Sequence, residues 1–556
     1  MNKTQKVLAG ISIVIACFLT VLDTTIVNVS MPSMASYFKT NITGVSWVST
    51  AYLIAFSSLL INFSKIADIY GRKKLFLIGL VVFCTASICC GLSNSLTMLV
   101  VFRIIQGVGA AILTPLSIPL GIDVFGKNAM GKLAILVGMV ISISAASGPV
   151  IGGLLNEAFN FRAIFYINVP FVIIALIFGF KFLNESCDET LEKKFDMLGT
   201  VLLVYGLAAL TFFLSKGNAY GWGSVKIVTL IVTSILSILA FLIYESKIQN
   251  PIIEFKLFKV RTYAASVILI SINFFAYMPL SYLMNFYLQN QLQYSVLKAG
   301  LTIGISSLVS FFASPIMGLI LKKTSGRVTA FIAIVCIALG DFLFVFMNSS
   351  NNIKIIHIAF IIAGLGIGAT SSLYQTAFEN IPKNKNGIAS GILNSVRQVV
   401  ACIAIAFVST LSSHFAVAAA NSTKTQILNR VNSSVVLSQN IKTTITNHIN
   451  TAKLNSTSTF SKDQLAKSIE NNEKQVLKGV PENMQGTVKE RFNTQKNEIY
   501  KIVDYAKTTK DNETIKIYNK CFLIIGIITA FGLIVVPFNC KKEEADDVEE
   551  NLKQNA

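Results

Sequence analysis

Residues 18–32 read FLTVLDTTIVNVSMP, and one acidic residue, Asp23, lies inside this otherwise apolar stretch. The stretch belongs to an apolar segment over about 8–29, which is long enough to cross a bilayer as a helix. A carboxylate near the middle of such a helix costs roughly 2.5–3.5 kcal/mol on insertion scales. A cost of this size indicates that Asp23 has a counterion elsewhere in the chain or a functional role.

Composition assigns the whole chain to the membrane proteins. Of its 556 residues, 53% are hydrophobic and only 13% are charged, and the mean hydropathy is +0.63. A soluble domain carries roughly 25% charged residues. Apolar runs of about 20 residues recur, whereas a β-barrel would show short alternating segments. The composition therefore predicts an all-α, polytopic membrane protein.

Fourteen segments are predicted to span the membrane. They fall near 8–29, 46–64, 75–93, 97–119, 134–156, 163–183, 198–215, 226–244, 264–290, 298–321, 328–347, 355–378, 387–412 and 519–537. Lys and Arg concentrate in alternate connections, and cytoplasmic loops accumulate these residues. We therefore expect a multi-pass plasma-membrane protein with both termini in the cytoplasm. The same loops account for the net charge of +19, so nucleic acid is not an expected partner.

Weak internal symmetry predicts a duplicated core. The connection KIADIYGRKKLF after the second span has a degraded echo, LILKKTSGRVTAF, after the tenth. Spans 1–6 and 9–14 then form two six-helix bundles, and spans 7 and 8 are inserted between them. The predicted divisions are 1–183 for the first bundle, 184–250 for the linker and inserted spans, 251–412 for spans 9–13, 413–518 for an outer loop, 519–537 for the last span and 538–556 for a tail.

The long outer loop, 413–518, is polar and is predicted to lie outside the cell. Ser461 and Gln464 make a capping-box pattern before a helix, and Pro481 stands near the start of another helical stretch. A small helical module is the first expectation. A solvated, partly disordered insertion is the alternative.

Several stretches, taken in order, resemble one family. They are LDTTIVNVSMP, ADIYGRKK, RIIQGVGAAILTP, SGPVIGGLL, FRAIFYINVP, FDMLG and NPIIEFKLFK. In this order and spacing the chain resembles the 14-helix drug:proton antiporter branch of the major facilitator superfamily. The resemblance implies a major facilitator fold and export in exchange for protons. It implies neither an enzyme nor a cofactor beyond the proton gradient.

The resemblance also assigns two motifs. In SGPVIGG it implies an antiporter motif, whose residues here are Gly148, Pro149, Gly152 and Gly153. Small residues there allow another helix to approach closely. After the second span it implies a cytoplasmic latch that holds the outward-open state, with Asp68, Gly71, Arg72 and Lys73 as the matching residues. Ser64 stands where the family usually has glycine, and Ile69 where a basic residue is common.

Asp23 is predicted to be the proton site. Arg103, in the fourth span, lies at a matching depth of about two helical turns from the outer face, so the two charges can pair. In the family, the acid of LDTTIVNV and the arginine of RIIQG are functional, which favours proton coupling by Asp23 and Arg103. A permanent structural bridge between them is the alternative.

Six residues are predicted to line a substrate cavity: Asp341, Arg397, Gln106, Tyr282, Asn285 and Phe286. Asp341 is either a second acidic site or a residue near the boundary between lipid and protein. Arg397 either pairs with an acid or a helix dipole, or binds an anionic substrate. Aromatic faces such as those of Tyr282 and Phe286 suit lipophilic cations.

The predicted function is proton-coupled export of lipophilic compounds, in the first place cations, by alternating access. Two alternatives remain open: a proton-coupled exporter of lipids or fatty acids, and a membrane receptor that no longer transports. The expected partners are a small lipophilic substrate and membrane lipids, and the expected state is a monomer. No Walker A sequence or metal-ligand spacing is present, so neither ATP nor a metal ion is expected.

Overall fold

The computed structural model describes residues 1–40, 42–126, 129–187, 196–248, 251–253, 255–348, 353–382, 385–451 and 481–539. All regular elements in these ranges are helical. Thirteen helices among the described residues are long and apolar enough to cross a membrane. A further long helix, Met130–Ala158, coincides with the predicted fifth span. The predicted all-α, polytopic fold class is confirmed.

We number the fourteen long helices in chain order. They are α1 Lys3–Tyr37, α2 Trp47–Tyr70, α3 Arg72–Leu92, α4 Leu96–Phe125, α5 Met130–Ala158, α6 Asn168–Phe182, α7 Met197–Tyr220, α8 Val225–Glu245, α9 Arg261–Phe286, α10 Val296–Lys323, α11 Gly326–Phe344, α12 Ile353–Glu379, α13 Asn386–Ser433 and α14 Glu482–Ala530. A one-turn helix, Ala163–Tyr166, precedes α6, and a short helix, Gln439–Thr451, follows α13.

Three helices extend well beyond the predicted spans. Helix α1 continues to Tyr37, α13 continues to Ser433, and α14 begins at Glu482, directly after Pro481. The predicted ends followed the loss of apolar character, but a helix continues through polar residues where one face still packs. The start of α1 is set by a capping box, in which Asn2 and Gln5 each accept the other's backbone N–H.

The chain divides into two compact units. The first contains Met1–Phe344, Ile353–Ser409 and Phe522–Ala556, and the second contains Val345–Asn352 and Thr410–Cys521. The predicted outer loop falls inside the second unit.

The second unit has an apolar core of its own. Its buried members are Ile427, Val431, Leu437, Ile445, Ile449, Ile499, Ile502 and Ala506. They come from α13, the short helix Gln439–Thr451 and α14, so the described part of the outer loop is a packed helical module. The capping-box pattern at Ser461 and Gln464 lies outside the described residues.

The first unit contains two halves with the same packing pattern. Helices α2 and α3 both pack on α4, and helices α10 and α11 both pack on α12. Matching glycine pairs allow these approaches. A Cβ built on Gly107 or Gly364 would lie 2.6 or 2.5 Å from a backbone oxygen of α2 or α10, respectively. A Cβ on Gly109 or Gly366 would lie 2.8 or 2.7 Å from a backbone nitrogen of α3 or α11, respectively. The predicted duplication is therefore visible in the packing.

Helix α5 contacts both halves of the first unit. Near its start, Gly138 faces Ser371 of α12, with a built Cβ 3.0 Å from the serine Cβ. Towards its end, Gly148 and Gly152 pack against α1. A Cβ on Gly148 would lie 2.7 Å from Cβ of Thr25, and one on Gly152 would lie 2.9 Å from Cγ1 of Ile26. Glycine is thus needed at both positions for α1 and α5 to pack closely.

The third glycine of the motif provides a matched control for this contact. A Cβ on Gly153 meets nothing within 4 Å. We expect Gly148→Ala to lower the free energy of unfolding by about 1–3 kcal/mol, because the methyl group overpacks the α1–α5 contact. Gly153→Ala should leave stability unchanged or raise it by up to about 1 kcal/mol, because alanine favours helix. Chemical unfolding of the purified variants in bicelles measures both, and equal effects would contradict this account of the packing.

Candidate functional site

Asp23 and Arg103 form an ion pair inside the first half of the membrane unit. Arg103 Nη1 donates to Oδ2 of Asp23, and both side chains are fully buried. The other carboxylate oxygen, Oδ1, accepts from Gln106 Nε2 at 3.1 Å and from Asn168 Nδ2 at 3.4 Å. Asp23 therefore receives hydrogen bonds from three donors on α4 and α6.

A second layer of polar groups orients these donors. Ser87 of α3 accepts from Gln106 Nε2 at 3.3 Å and from Asn168 Nδ2 at 3.0 Å. The Ser87 hydroxyl itself donates to the backbone oxygen of Phe165 at 2.8 Å. Gln106 Oε1 accepts from Arg103 Nη1 at 2.9 Å. Each of these donors is therefore directed towards an acceptor, whereas the buried Asn168 Oδ1 accepts no hydrogen bond from the described residues.

Arg103 has anchors that do not depend on Asp23. Its Nε donates to the backbone oxygen of Val48 at 3.0 Å, and its guanidinium carbon lies 4.2 Å from the centre of the Tyr52 ring. Both anchors belong to α2. The guanidinium group can therefore keep its position on α2 and α4 while the carboxylate on α1 changes its own partners.

The predicted latch residues also lie together. Arg72, at the start of α3, bonds to Asp68 of α2 at 2.8 Å and to Asp123 of α4 at 3.1 Å. Gly71 between α2 and α3 has a φ of +116°, and a Cβ there would lie 2.8 Å from the carboxyl carbon of Glu185. Glycine thus permits both the turn and the close approach.

The segment after α6 completes this cluster. Glu185 accepts from the backbone N–H groups of Lys73 and Lys74, each at 3.0 Å, and so satisfies donors at the start of α3. Ser186 donates its hydroxyl to Asp123 Oδ2 at 2.6 Å. The Lys73 ammonium group donates to the backbone oxygen of Phe180 at 3.0 Å.

The latch connects the two halves of the membrane unit through α13. Ser64 of α2 donates its hydroxyl to the backbone oxygen of Gly387 at 2.6 Å. A Cβ on Gly387 would lie 2.5 Å from Cγ of Asp68, so the carboxylate packs directly against the start of α13. Backbone N–H groups at a helix start favour a negative charge. The halves are therefore closed against each other at this face.

The residues predicted to line the cavity lie in separate surroundings. Asp341, on α11, is fully buried and lies beside Thr529 of α14. The rings of Tyr282 and Phe286 make an edge-to-face contact, with their centres 5.0 Å apart, near the end of α9, where the Phe286 side chain is 45% exposed. Asn285 accepts from Gln289 at 2.6 Å. Gln106 belongs to the Asp23 network.

Arg397 of α13 is buried between aromatic side chains. Its Nη1 donates to the Tyr374 hydroxyl at 2.9 Å, and its guanidinium carbon lies 5.0 Å from the centre of the Phe274 ring. Phe274 precedes Tyr282 by eight residues on α9, which is about 12 Å along the helix. The structure therefore does not bring Arg397 together with the Tyr282–Phe286 group.

Sequence reasoning missed several contributors to these clusters. Ser87 and Asn168 complete the Asp23 network, and Asp123 and Glu185 complete the latch. Asn168 lies within the quoted FRAIFYINVP stretch, and as a polar residue starting an apolar helix it offered a signal. Glu185 lies in the loop after α6. A loop has no regular spacing of apolar residues, so the sequence does not predict which helix the Glu185 side chain contacts.

Comparisons with known proteins agree with this architecture. The profile of the Major Facilitator Superfamily matches residues 13–405. The riboflavin transporter RibZ of Clostridioides difficile is 30% identical over 410 residues, covering 73% of this chain and 88% of RibZ. The multidrug resistance protein Stp of Mycobacterium tuberculosis is 30% identical over 413 residues, covering 73% of this chain and 75% of Stp.

Two further matches come from other organisms. Multidrug resistance protein 3 of Bacillus subtilis is 28% identical over 379 residues, covering 68% of this chain and 73% of that protein. The crystal structure of the human organic anion transporter MFSD10 (TETRAN) superposes with a TM-score of 0.55 at 12% identity, covering 74% of this chain and 94% of that one. At this identity the likeness concerns the fold alone. The resemblance inferred from the sequence motifs is confirmed.

Removing one charge of the buried pair should cost more than removing both. We expect Asp23→Asn and Arg103→Gln each to lower the free energy of unfolding by roughly 3–5 kcal/mol, because each leaves the other charge buried without its counterion. The free energy of unfolding of the double variant should fall by clearly less than the sum of the two single losses. Unfolding in bicelles measures all three variants, and additive losses would show that the two side chains do not interact.

The latch contact can be tested at Gly387. We expect Gly387→Ala to separate α13 from Asp68, because the added methyl group has no room beside that carboxylate. Gly223→Ala is the matched control, since a Cβ at Gly223 meets nothing within 4 Å. Hydrogen–deuterium exchange over residues 64–75 should then be several-fold faster in Gly387→Ala than in the control. Unchanged exchange would show that this contact does not hold the face closed.

Proposed function

Because this chain belongs to the Major Facilitator Superfamily, and is a transporter rather than an enzyme, we propose that it exports lipophilic compounds across the plasma membrane in exchange for protons. The observation that carries the proposal is the Asp23 network. A buried carboxylate is held by a guanidinium and two amide N–H donors. In the proposed cycle this group releases its proton in this conformation and binds one after the helices have moved.

Helix α1 links proton binding to the change of conformation. Asp23 lies two and three residues before Thr25 and Ile26, the residues against which Gly148 and Gly152 pack. A shift of α5 along α1 therefore acts on the same helical turn that carries the carboxylate. Proton entry along the membrane potential supplies about 2.3 kcal/mol per charge per 100 mV, which is enough to bias such a shift.

The latch supplies the second state of the cycle. With Asp68 against the start of α13, the face that carries the basic loops is closed. We propose that this face is cytoplasmic, with both termini on the same side, because cytoplasmic loops accumulate Lys and Arg. The described conformation is then closed to the cytoplasm, and opening of the latch admits cargo from inside.

The relatives leave the charge of the cargo open. Two of them are named as multidrug resistance proteins and one as a riboflavin transporter. The aromatic residues Tyr282 and Phe286 suit a lipophilic cation, whereas Arg397 suits an anion. We therefore propose lipophilic export without assigning a charge on these grounds.

Neutralising Asp23 should abolish coupling. We expect Asp23→Asn to lose proton movement linked to cargo in proteoliposomes, since the amide cannot bind and release a proton. Glu157→Gln, at an exposed acid of α5, is the control and should retain coupling. The assay measures the luminal pH of the proteoliposomes while one of two cargoes, rhodamine ethyl ester or fluorescein, is transported. Coupling that survives Asp23→Asn in a folded protein would reject the role given to Asp23.

A further inference from the structure

Arg397 lies where a transporter of this fold recognises its cargo. It is the twelfth residue of α13, about 16 Å from the start of the helix and so near the middle of a hydrocarbon core of roughly 30 Å. The residue before it, Val396, packs against a buried apolar cluster that contains Ile118 and Ile122 of α4. Helix α4 belongs to the first half and α13 to the second. Sites between two such halves, near the midplane, are where transporters bind substrates.

The guanidinium group has no counterion in the described part of the chain. Only 6% of the Arg397 side chain is exposed, and its partners are the Tyr374 hydroxyl and the Phe274 ring. Guanidinium is always charged and offers five N–H donors, of which Tyr374 engages one. A buried charge without a partner is costly, and such a charge inside a membrane marks a binding site.

The two intramembrane acids do not fill this role. Asp23 is already paired with Arg103 and bonded to Gln106 and Asn168. Asp341 lies on α11 beside Thr529 of α14, and it forms no ion pair within the described ranges. The partners of Arg397 come instead from α9 and α12. No acid among the described residues therefore supplies the missing negative charge, which leaves a bound anion as its source.

We propose that Arg397 binds the acidic group of the cargo and that the cargo is an amphipathic organic anion. The inference rests on the proposed export function and names its substrate class. A carboxylate or sulfonate accepts two parallel N–H bonds from guanidinium, which gives both charge compensation and orientation. Tyr374 fixes the guanidinium plane, and the Phe274 ring offers a face to an aromatic part of the cargo.

Two xanthene dyes test the assignment, because they share a ring system and differ in charge. Fluorescein is an anion, and rhodamine ethyl ester is a cation. Their affinities are measured by fluorescence anisotropy with the full chain in nanodiscs, against empty nanodiscs. The variants are Arg397→Gln, Arg397→Lys and Tyr374→Phe. Lys354→Gln is the matched control, because it removes one positive charge from an exposed position on α12.

We expect Arg397→Gln to weaken fluorescein binding at least tenfold, as loss of hydrogen bonds to a charged group does. Arg397→Lys and Tyr374→Phe should weaken it less, and Lys354→Gln should leave it unchanged. Rhodamine ethyl ester binding should not fall in any variant. If Arg397→Gln does not fold, Arg397→Lys and Tyr374→Phe test the proposal instead. Weaker binding of fluorescein by these two variants, with unchanged binding of rhodamine ethyl ester, would support the anion site.

Equal binding of fluorescein by wild type and by all three variants would overturn the proposal. So would binding of the cation alone by the wild type. The experiments also distinguish failure of the proposed export function from failure of the proposed anion site. Anion binding that depends on Arg397, without linked proton movement in proteoliposomes, would retain the anion site and reject exchange. Proton-linked movement of the cation, without anion binding, would retain exchange and reject the anion site.

Discussion

The first half of the membrane unit is organised around one constraint: Asp23 and Arg103 can be buried only together. Helices α1, α2, α3, α4 and α6 each contribute a group to the pair or to the polar atoms around it. The two buried charges neutralise each other, and Gln106 and Asn168 hold the carboxylate by further hydrogen bonds. The energy of the ion pair therefore depends on the position of α1, and the proposed proton exchange acts through this dependence.

Helix α5 extends this constraint to the second half. Its glycines at 148 and 152 contact α1 next to Asp23, and Gly138 contacts α12. Glycine removes the side chain that would otherwise separate two backbones, so the helices meet over rigid surfaces. A change in the position of α1 is therefore transmitted through close-packed backbone, which has few ways to absorb it. The latch acts at a different place, between α2 and α13, and holds the halves together from outside the buried pair.

Much of this architecture could be predicted from the sequence, for identifiable reasons. Continuous apolar runs predicted the fourteen helices, and matching depth predicted that Asp23 could meet Arg103. Gln106, by contrast, was assigned to the cargo cavity, although its amide bonds to Asp23. Spacing along a helix gives depth in the membrane, but it does not give the direction a side chain faces when the whole helix is apolar. For the same reason, the sequence did not predict that Ser87 and Asn168 face the Asp23 network. The predicted spans for α13 and α14 were also shorter than the helices themselves. Hydropathy marks the apolar part of a helix and gives no signal where the helix continues through polar residues.

The intramembrane charges divide between the halves in a way that sets the energetics of exchange. In the first half, Asp23 and Arg103 form an ion pair; in the second, Arg397 has no counterion among the described residues, and the proposed anionic cargo would supply one. If one anion leaves for each proton that enters, both movements carry positive charge inward. A membrane potential of 100 mV then contributes about 4.6 kcal/mol per cycle, twice the value for one charge. A monovalent cation exchanged for one proton would move no net charge and would draw on the pH difference alone. In the proposed exchange, the charge of the cargo therefore decides whether the membrane potential or only the pH difference drives export, and the proposed anion site at Arg397 favours the membrane potential.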